Sequence, residues 1–282
     1  MYQYPIGVIL ESFRKPIPEA VKAASALGLD SIQVYATKHT IAGVEMSASD
    51  RKEFLKMVKD NGLRISAICG DLGKGFGNPE LNSALVEESK QILDIALEME
   101  TNIVTTHIGV VPASASNPRY GIMQKACREL AEYAKGLHAH FAVETGPEPA
   151  EVLKHFLDSL GSDGVAVNMD PANLVMIVHD DPVKAVYTLR DYIVHTHAKD
   201  GRQLHPCDAE VIYGIRPRDP SCNFREEFIE LPLGKGDVPF NAYLHALDEI
   251  GYRGCLTIER ETGEQPEQDI SAAVHFLHTL LH

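Results

Sequence analysis

Eight short apolar segments alternate with helical patterns along the chain, and this alternation limits the fold more than any other feature. The apolar segments cover residues 6–10, 31–36, 63–70, 102–109, 140–144, 164–170, 192–197 and 255–259. Strands that are separated by helices form parallel sheets, and eight such units favour closure into a barrel. The sequence therefore predicts one α/β domain over residues 1–282, a single (β/α)8 TIM barrel with parallel strands inside an outer ring of helices.

The boundaries of the helices follow from prolines, capping residues and glycines. The sequence predicts helices over residues 18–28, 47–62, 80–99, 122–137, 241–250 and 266–281, a helix-like segment after residue 144, and a long loop after residue 197. An open doubly wound sheet is the alternative, but the GxGxxG motif that usually follows its first strand is missing. The glycine-rich residues 71–80 lack the GK[ST] ending of a phosphate-binding loop, so we interpret them as a flexible connection.

Small or polar side chains alternate with bulky apolar ones in the predicted strands. Successive side chains of a strand point to opposite faces, so each of these strands has one polar face. The polar faces carry Thr105 and His107, Ala142 and Glu144, Asn168 and Asp170, His195 and His197, and Thr257 and Glu259. We expect these faces to line the barrel axis, with the last residue of each at the C-terminal mouth, where barrel enzymes have their active sites.

Four of these polar residues end four successive strands. They are Glu144, Asp170, His197 and Glu259. A lone carboxylate at a strand end is more often a helix cap or a salt-bridge partner, but four such residues with the same parity favour a metal site. Three carboxylates and one imidazole suit one divalent ion, either Mn²⁺, Mg²⁺ or Co²⁺, with Zn²⁺ as a further candidate. Two open positions of a six-coordinate ion would accept adjacent oxygens of a sugar or polyol.

Other polar residues near these strand ends are candidates for binding substrate. His107 ends the fourth strand and could bind substrate or remain a buried histidine with satisfied hydrogen bonds. Asn173 follows Asp170 in the sequence DPAN, where it could contact a substrate hydroxyl or form an Asx-turn. Lys199 and Arg202, in HAKDGR, could bind substrate oxygens or pair with neighbouring acids.

Composition excludes several classes of partner. The net charge is −14, from 26 basic and 40 acidic residues without a basic run, which disfavours binding to nucleic acid. The N-terminal sequence has no basic region followed by a long apolar stretch, so we expect neither a signal peptide nor contact with a membrane. Five scattered cysteines without a CxxC motif predict reduced thiols and a cytoplasmic protein. Whether the chain forms a homo-oligomer is left open.

The order of five motifs resembles the xylose isomerase-like barrel superfamily. These motifs are VETG, NMDPAN, HTHAKDG, LPLGKGD and TIERE, and the resemblance covers essentially the whole chain. The superfamily contains sugar isomerases, ketose 3-epimerases, inosose dehydratases and endonuclease IV. The resemblance implies that Glu144, Asp170, His197 and Glu259 bind a divalent metal. It also implies that Glu144 and Glu259 act as catalytic acid and base.

Two positions differ from the ketose 3-epimerases within that superfamily. Asn173 stands where those enzymes usually have a histidine, and Arg202 follows the metal histidine by five residues instead of six. The motifs HxKDG and LPLGKGD match the broader group of isomerases, epimerases and inosose dehydratases better. The resemblance therefore indicates the type of chemistry more closely than the substrate.

These observations favour a sugar or sugar phosphate isomerase or epimerase that transfers a proton through an enediolate stabilised by the metal. An inosose-type dehydratase would share the first step and then expel a β-hydroxyl. A nuclease for abasic sites is disfavoured, because residues 215–223 contain no histidine and the net charge is negative. A barrel that only binds its ligand is a further alternative, but it is disfavoured because all four ligands are present.

Overall fold

A closed barrel of eight parallel strands organises the protein. A computed structural model describes residues 2–37, 43–218 and 226–282. The barrel strands are β1 Ile6–Ile9, β2 Ser31–Tyr35, β3 Arg64–Cys69, β4 Ile103–Thr106, β5 His140–Glu144, β6 Val165–Met169, β7 Ile193–Ala198 and β10 Leu256–Ile258. They pair in the order β1-β10-β7-β6-β5-β4-β3-β2. The predicted single (β/α)8 TIM barrel is confirmed.

Helices surround this barrel. They are α1 Ile17–Ala26, α2 Ala48–Asp60, α3 Pro79–Glu98, α4 Pro118–Gly136, α5 Ala150–Leu160, α6 Pro171–Asn173, α7 Pro182–Thr188, α8 Ala209–Ile212, α9 Phe240–Glu249 and α10 Pro266–Leu281. The sequence prediction started α4 four residues too late, at Ile122. The helix begins at Pro118 because the Asn117 side chain accepts a hydrogen bond from the Arg119 amide and proline suits the first turn.

The predicted alternation of side chains separates the two sides of the barrel wall. On β5, Phe141 and Val143 belong to the apolar core between the strands and the helices, whereas Ala142 and Glu144 face the barrel axis. The interior is polar at its upper level, where Gln33, Thr105 and Asn168 are almost fully buried. The barrel therefore directs polar groups towards its C-terminal mouth.

The long loop predicted after residue 197 contains regular structure, and that part of the prediction was wrong. Strand β8 (Asp200–Gln203) pairs antiparallel with β9 (Phe228–Leu231), and α8 lies between them in sequence. The sequence of β8 is DGRQ, which has neither apolar alternation nor β-branched residues. Because its partner strand lies far along the chain, no local sequence pattern indicates this pairing.

Two further features of the described residues concern the cysteines and the membrane-spanning potential of the helices. Cys69, Cys127, Cys207 and Cys255 are free thiols, and Cys222 lies outside the described residues. Within the described ranges, no helix has the length and apolar character needed to cross a membrane.

Candidate metal centre

Four side chains from different strand ends converge at the mouth of the barrel. Glu144 ends β5, Asp170 follows β6, His197 lies in β7 and Glu259 follows β10. One ligand atom from each lies within 4.8 Å of the others, and all four residues are buried. The imidazole Nδ1 of His197 is 3.6 Å from Glu144 Oε1, 3.5 Å from Asp170 Oδ2 and 3.1 Å from Glu259 Oε2. The structure therefore brings the four predicted ligands together.

Three atoms of this group are buried polar atoms without a hydrogen bond to any residue that the structure describes. They are Asp170 Oδ2, His197 Nδ1 and Glu259 Oε2. Leaving such atoms unpaired in a buried site is costly, and three buried carboxylates side by side also repel one another. A cation between these oxygens and the imidazole nitrogen would relieve both costs. The donor set of three carboxylates and one imidazole fits a divalent ion.

Asp170 is oriented by the short helix that follows it. Its Oδ1 accepts hydrogen bonds from the amides of Ala172, at 2.8 Å, and Asn173, at 2.9 Å. Thr145 holds its backbone from the other side, accepting from the Asp170 amide and donating to the Asp170 carbonyl. With Oδ1 engaged as a helix cap, the other oxygen faces the metal site.

Glu144 is held by two side-chain amides. Its Oε2 accepts a hydrogen bond from Asn168, at 3.0 Å, and its Oε1 accepts one from Asn173, at 3.1 Å. Asn173 reaches this position because Gly146 has no side chain: a Cβ there would overlap that of Asn173. The Asn173 amide therefore contacts the metal centre through Glu144.

A hydrogen-bonded chain below the centre fixes these orientations. The Thr257 hydroxyl lies 3.0 Å from His195 Nε2, and His195 Nδ1 lies 2.9 Å from Asn168 Oδ1. Burial, reinforced by His197, lowers the pKa of His195 well below its ordinary value, so this ring is neutral. His195 then donates to Asn168, whose amide donates to Glu144. His195 is thus a buried residue that supports the ligands through Asn168.

Gln33 is a site residue that the sequence analysis missed. It lies on β2, and its Oε1 is 3.1 Å from His197 Nε2, while its amide donates to Thr105 at 3.2 Å. Because Gln33 accepts from Nε2, the opposite nitrogen of His197, Nδ1, is left with a lone pair for a metal. The signal was a long polar side chain in the middle of the apolar segment SIQVYA, with inward parity.

Lys199 contributes a buried positive charge beside the group. Its Nζ is 3.0 Å from Glu259 Oε2 and forms a second ion pair with Glu261. The lysine side chain is 4% exposed, whereas that of Glu261 is 58% exposed. The ammonium therefore lies in the wall of the site, next to one of the candidate ligands.

Burial and neighbouring positive charges have opposite effects on the pKa values of the carboxylates. Burial raises the pKa of Asp170 to about 6, against the lowering effect of the nearby His197 ring. Burial also tends to raise the pKa of Glu259, but Lys199 and His197 outweigh it and hold that pKa well below its ordinary value. In the same way, His107 and His197 outweigh burial and lower the pKa of Glu144. Glu144 and Glu259 are therefore ionised at neutral pH.

The pKa of the His197 imidazole shifts in the opposite direction, upwards. Burial tends to lower its pKa, but the charges of Glu259 and Glu144 outweigh burial and raise the pKa well above its ordinary value. The surrounding carboxylates therefore favour a positive charge on the ring. A divalent cation supplies that positive charge instead, and its binding displaces the proton from the ring.

His107 lies at the edge of the group. Its Nδ1 is 3.1 Å from Asp71 Oδ2, and its Nε2 is 3.7 Å from Glu144 Oε1 without a hydrogen bond to any described residue. Burial lowers the pKa of this ring, but Glu144 and Asp71 outweigh burial and raise it to about 9. The ring of Tyr213 lies against it, 5.6 Å away between centroids. His107 thus presents a free nitrogen to the cavity.

Arg202, a predicted substrate-binding residue, is not brought to this group. Its side chain is 48% exposed and pairs with Asp237 at 2.7 Å, and Arg202 is not among the residues that line the cavity. Lys199 lies before β8 and is buried, whereas Arg202 lies within β8 at an exposed position. The neighbouring Asp200 accepts hydrogen bonds from the amides of Gly201, Gly234, Gly236 and Val238. The KDG and LGKG motifs therefore meet in a structural contact.

A cavity of about 690 Å³ opens beside three of the four candidate ligands. His107, Asn173 and Lys199 line it together with Glu144, His197 and Glu259. Its size is within the range of about 300–1,000 Å³ that is usual for small-molecule sites. The cavity can therefore bring a small molecule into contact with the metal centre.

Comparison with known proteins agrees with this architecture. The family model described as "Xylose isomerase-like TIM barrel" matches residues 21–280. The chain is 22% identical over 280 residues to the Escherichia coli (strain K12) protein named "Putative L-ribulose-5-phosphate 3-epimerase SgbU", covering 95% of this chain and 92% of that protein. The chain therefore belongs to the xylose isomerase-like TIM barrel family.

Solved structures show the same fold. A xylose isomerase domain protein from Planctomyces limnophilus superposes with a TM-score of 0.80 at 26% identity, over 99% of this chain and 97% of that one. The probable 3-DHS dehydratase AsbF from Bacillus anthracis gives 0.75 at 19% identity, over 97% and 98%. A xylose isomerase-like barrel from Mycobacterium smegmatis, solved in complex with magnesium, gives 0.72 at 19% identity, over 100% of both chains. The proteins to which the chain is similar thus include one named as a putative epimerase and one named as a probable dehydratase, and one of the similar structures was solved with magnesium.

Proposed function

We propose that the protein is a divalent-metal-dependent isomerase or epimerase of a sugar, a polyol or a sugar phosphate, and that it transfers a proton to and from carbon. One observation carries this proposal. Glu144 and Glu259 come from strands that β6 and β7 separate in the barrel, and their carboxylates converge beside one imidazole. Two carboxylates that reach a small-molecule cavity from different sides suit the removal of a proton by one and its return by the other.

Four residues are proposed as ligands of one divalent ion: Glu144, Asp170, His197 and Glu259. Mn²⁺, Mg²⁺, Co²⁺ and Zn²⁺ are the candidates for this donor set. When bound, such an ion supplies Lewis-acid polarisation of a carbonyl, which makes a neighbouring C–H bond more acidic. The protein contributes orientation, through Gln33 on the imidazole and Asn173 on the Glu144 carboxylate.

The two glutamates perform the proton transfers in this proposal. One carboxylate takes a proton from a substrate carbon, and the other delivers a proton to the intermediate. Return to the opposite face of the same carbon gives epimerisation. Return to the neighbouring carbon, with a hydroxyl proton moved between the two oxygens, gives interconversion of aldose and ketose. Both outcomes balance without an oxidant or reductant.

Three further residues are proposed to bind substrate oxygens. They are His107, Asn173 and Lys199, which all line the cavity. Arg202 is not included, because Asp237 holds its guanidinium outside the cavity. We also propose that the protein acts in the cytoplasm, since its described free thiols suit a reducing compartment.

Dehydration is a second candidate, and the position of Lys199 favours it. The buried ammonium lies 3.0 Å from Glu259, so it can donate a hydrogen bond to a hydroxyl that departs from the carbon next to the enolate. In this reaction a glutamate removes the carbon-bound proton as before, the C–O bond breaks, and the same proton passes to the departing oxygen, so that water leaves. Loss of one water from the product, measured by mass spectrometry, would distinguish a dehydratase from an isomerase or epimerase.

Turnover in heavy water tests the main proposal. We expect the metal-loaded protein to place deuterium on a substrate carbon, as read by NMR over a panel of ketoses, keto-inositols and their phosphates. Glu144→Gln and Glu259→Gln should each reduce turnover by on the order of 10²-fold or more, the scale of lost general acid–base help. Glu151→Gln, at an exposed position at the start of α5, is the matched control and should retain wild-type turnover. Turnover without deuterium at carbon would refute proton transfer by the glutamates.

A further inference from the structure

A second cavity adjoins the one above the metal centre. Its volume is about 770 Å³, and four residues line both cavities: Asp71, His107, Ile212 and Tyr213. The glycine-rich segment after β3 and the start of α4 form much of its far side, where Gly75 packs closely against Gly109. A molecule held above the metal centre can therefore extend past the His107 and Tyr213 rings into a second space.

Apolar side chains form much of the lining of this second cavity. They include Leu81, Val110, Met123, Ile212 and Ile215. Leu81 is 42% exposed and Ile215 is 39% exposed. Among the described residues, six large apolar side chains are exposed, and three of them, Leu81, Ile215 and Ile229, line one of the two cavities. Exposed apolar surface that gathers around a binding cavity indicates contact with an apolar group.

Most of the cations around this second cavity are already paired with acidic side chains. Arg119 lines the cavity, but its guanidinium is paired with Glu210. Two further cations belong to the part of the lining that the structure describes. His107 is paired with Asp71, and Lys74 has an exposed side chain. The buried Arg119 Nε makes no hydrogen bond with any described residue, so it can donate to an uncharged oxygen. This combination fits a neutral ring better than a phosphate.

We propose that the second cavity receives an uncharged, apolar or aromatic substituent of the sugar, so that the substrate is a keto sugar that carries such a substituent, for example a glycoside whose ring holds a ketone at another carbon. This inference rests on the proposed function for the part of the molecule that contacts the metal centre. Each cavity alone has the volume usual for a drug-sized ligand, which exceeds the needs of one monosaccharide. The continuity of the two cavities at His107 and Tyr213 connects the sugar with its substituent.

Calorimetric binding of phenyl and methyl glycosides of glucose, galactose and xylose to the metal-loaded protein tests this inference, because these probes carry the substituent on a sugar ring that has no carbonyl and does not react. For at least one sugar, the phenyl glycoside should bind roughly tenfold or more tightly than the methyl glycoside, because the ring buries apolar surface. Leu81→Glu should remove most of this preference, and Ile215→Glu should reduce it. Leu97→Glu is the matched control, since Leu97 lies on the same helix with 41% exposure and lines neither cavity, and it should keep the preference.

Two results would overturn the inference. The first is the absence of any preference for phenyl glycosides over methyl glycosides for all three sugars, including the case in which neither binds. The second is tighter binding of the corresponding sugar phosphates, with a loss in Lys74→Ala and none in Leu81→Glu. The calorimetric experiment does not require turnover, so it tests the second cavity separately from the reaction. If the preference for phenyl glycosides depended on Leu81 but turnover placed no deuterium on carbon, the proposed reaction would be rejected and the role of the second cavity would stand.

Discussion

A single carboxylate meets two structural demands at the end of β6. One oxygen of Asp170 caps α6, as a carboxylate at a helix N-terminus commonly does, and the other faces the metal centre. The sequence analysis treated a helix cap and a metal ligand as alternatives for such a residue. The cap instead fixes the carboxylate, which lowers the cost of orienting it for a metal. Asn173 likewise belongs to the same short helix and also holds Glu144.

Gln33 provides a test of how the imidazole is oriented. Gln33→Leu removes the acceptor for His197 Nε2, so the ring loses the contact that leaves Nδ1 free for a metal. We expect the Kd for Zn²⁺ or Mn²⁺ to rise by about 10–100-fold, the usual effect of losing such a partner. Competition with a chelator of known affinity measures this change.

Two variants control for that substitution. Gln33→Glu keeps an acceptor at the same position and should retain most of the affinity. Gln124→Leu removes a side-chain amide of equal size that contacts Ser159 on the outside of the barrel, and it should leave the affinity unchanged. A Kd for Gln33→Leu within twofold of the wild-type value would contradict the assigned role.

The pKa values of the ligands predict how metal binding depends on pH. Burial raises the pKa of Asp170 to about 6, so below that pH this ligand is protonated. The glutamates raise the pKa of His197 well above its ordinary value, so at neutral pH a proton must leave the ring before it binds a metal. Affinity should therefore rise between about pH 5 and pH 8, by about tenfold per pH unit for each proton released. Equilibrium dialysis with Mn²⁺ measures it, and a constant Kd above pH 6 would disagree with this charge balance.

At the scale of elements, the residues that follow β5 pack closely against α6, the short helix that follows β6. Gly146 follows β5 with a φ of 138° and leaves room for Asn173. Gly146→Ala adds both backbone strain and an overlap with Asn173. We expect the free energy of unfolding to fall by about 1–3 kcal/mol or more, measured by urea denaturation.

A second glycine allows the cost of backbone strain to be measured separately from the cost of overlap with Asn173. Gly161 ends α5 with a φ of 64°, and a Cβ there would meet no atom within 4 Å. Gly161→Ala therefore introduces backbone strain alone, at a cost of about 1–2 kcal/mol. If Gly146→Ala destabilised the protein no more than Gly161→Ala, the fit between Gly146 and Asn173 would have no energetic importance.

Elements with a local signal were predictable, and elements paired across the chain were not. The barrel strands are continuous apolar runs, and the polar face of each could be read from alternation, which gave the position of all four candidate ligands. The β8–β9 pair was missed because DGRQ is polar and its partner strand lies beyond α8. Gln33 was missed because the alternation of side chains was examined only in strands that end in a charged residue or a histidine. Arg202 was expected at the site because distance along the chain does not show which face of β8 it occupies.

At the scale of the whole molecule, barrel closure is what creates the site. The candidate ligands come from residues that are far apart in sequence, and the order β10-β7-β6-β5 places their strands side by side. Closure also directs the polar interior towards one mouth, where the two adjoining cavities open. The helices and the apolar core hold this arrangement, while the residues at the strand ends provide the chemistry.

Metal content of the purified protein tests the central claim most directly. After dialysis against Mn²⁺ or Zn²⁺ and removal of free ion, elemental analysis should give about one divalent ion per chain. His197→Ala should reduce this content sharply, and the quadruple variant of Glu144, Asp170, His197 and Glu259 should hold none. His245→Ala, which removes an exposed histidine on α9, should match the wild type. Equal metal content in the wild type and the quadruple variant would contradict the metal centre described here.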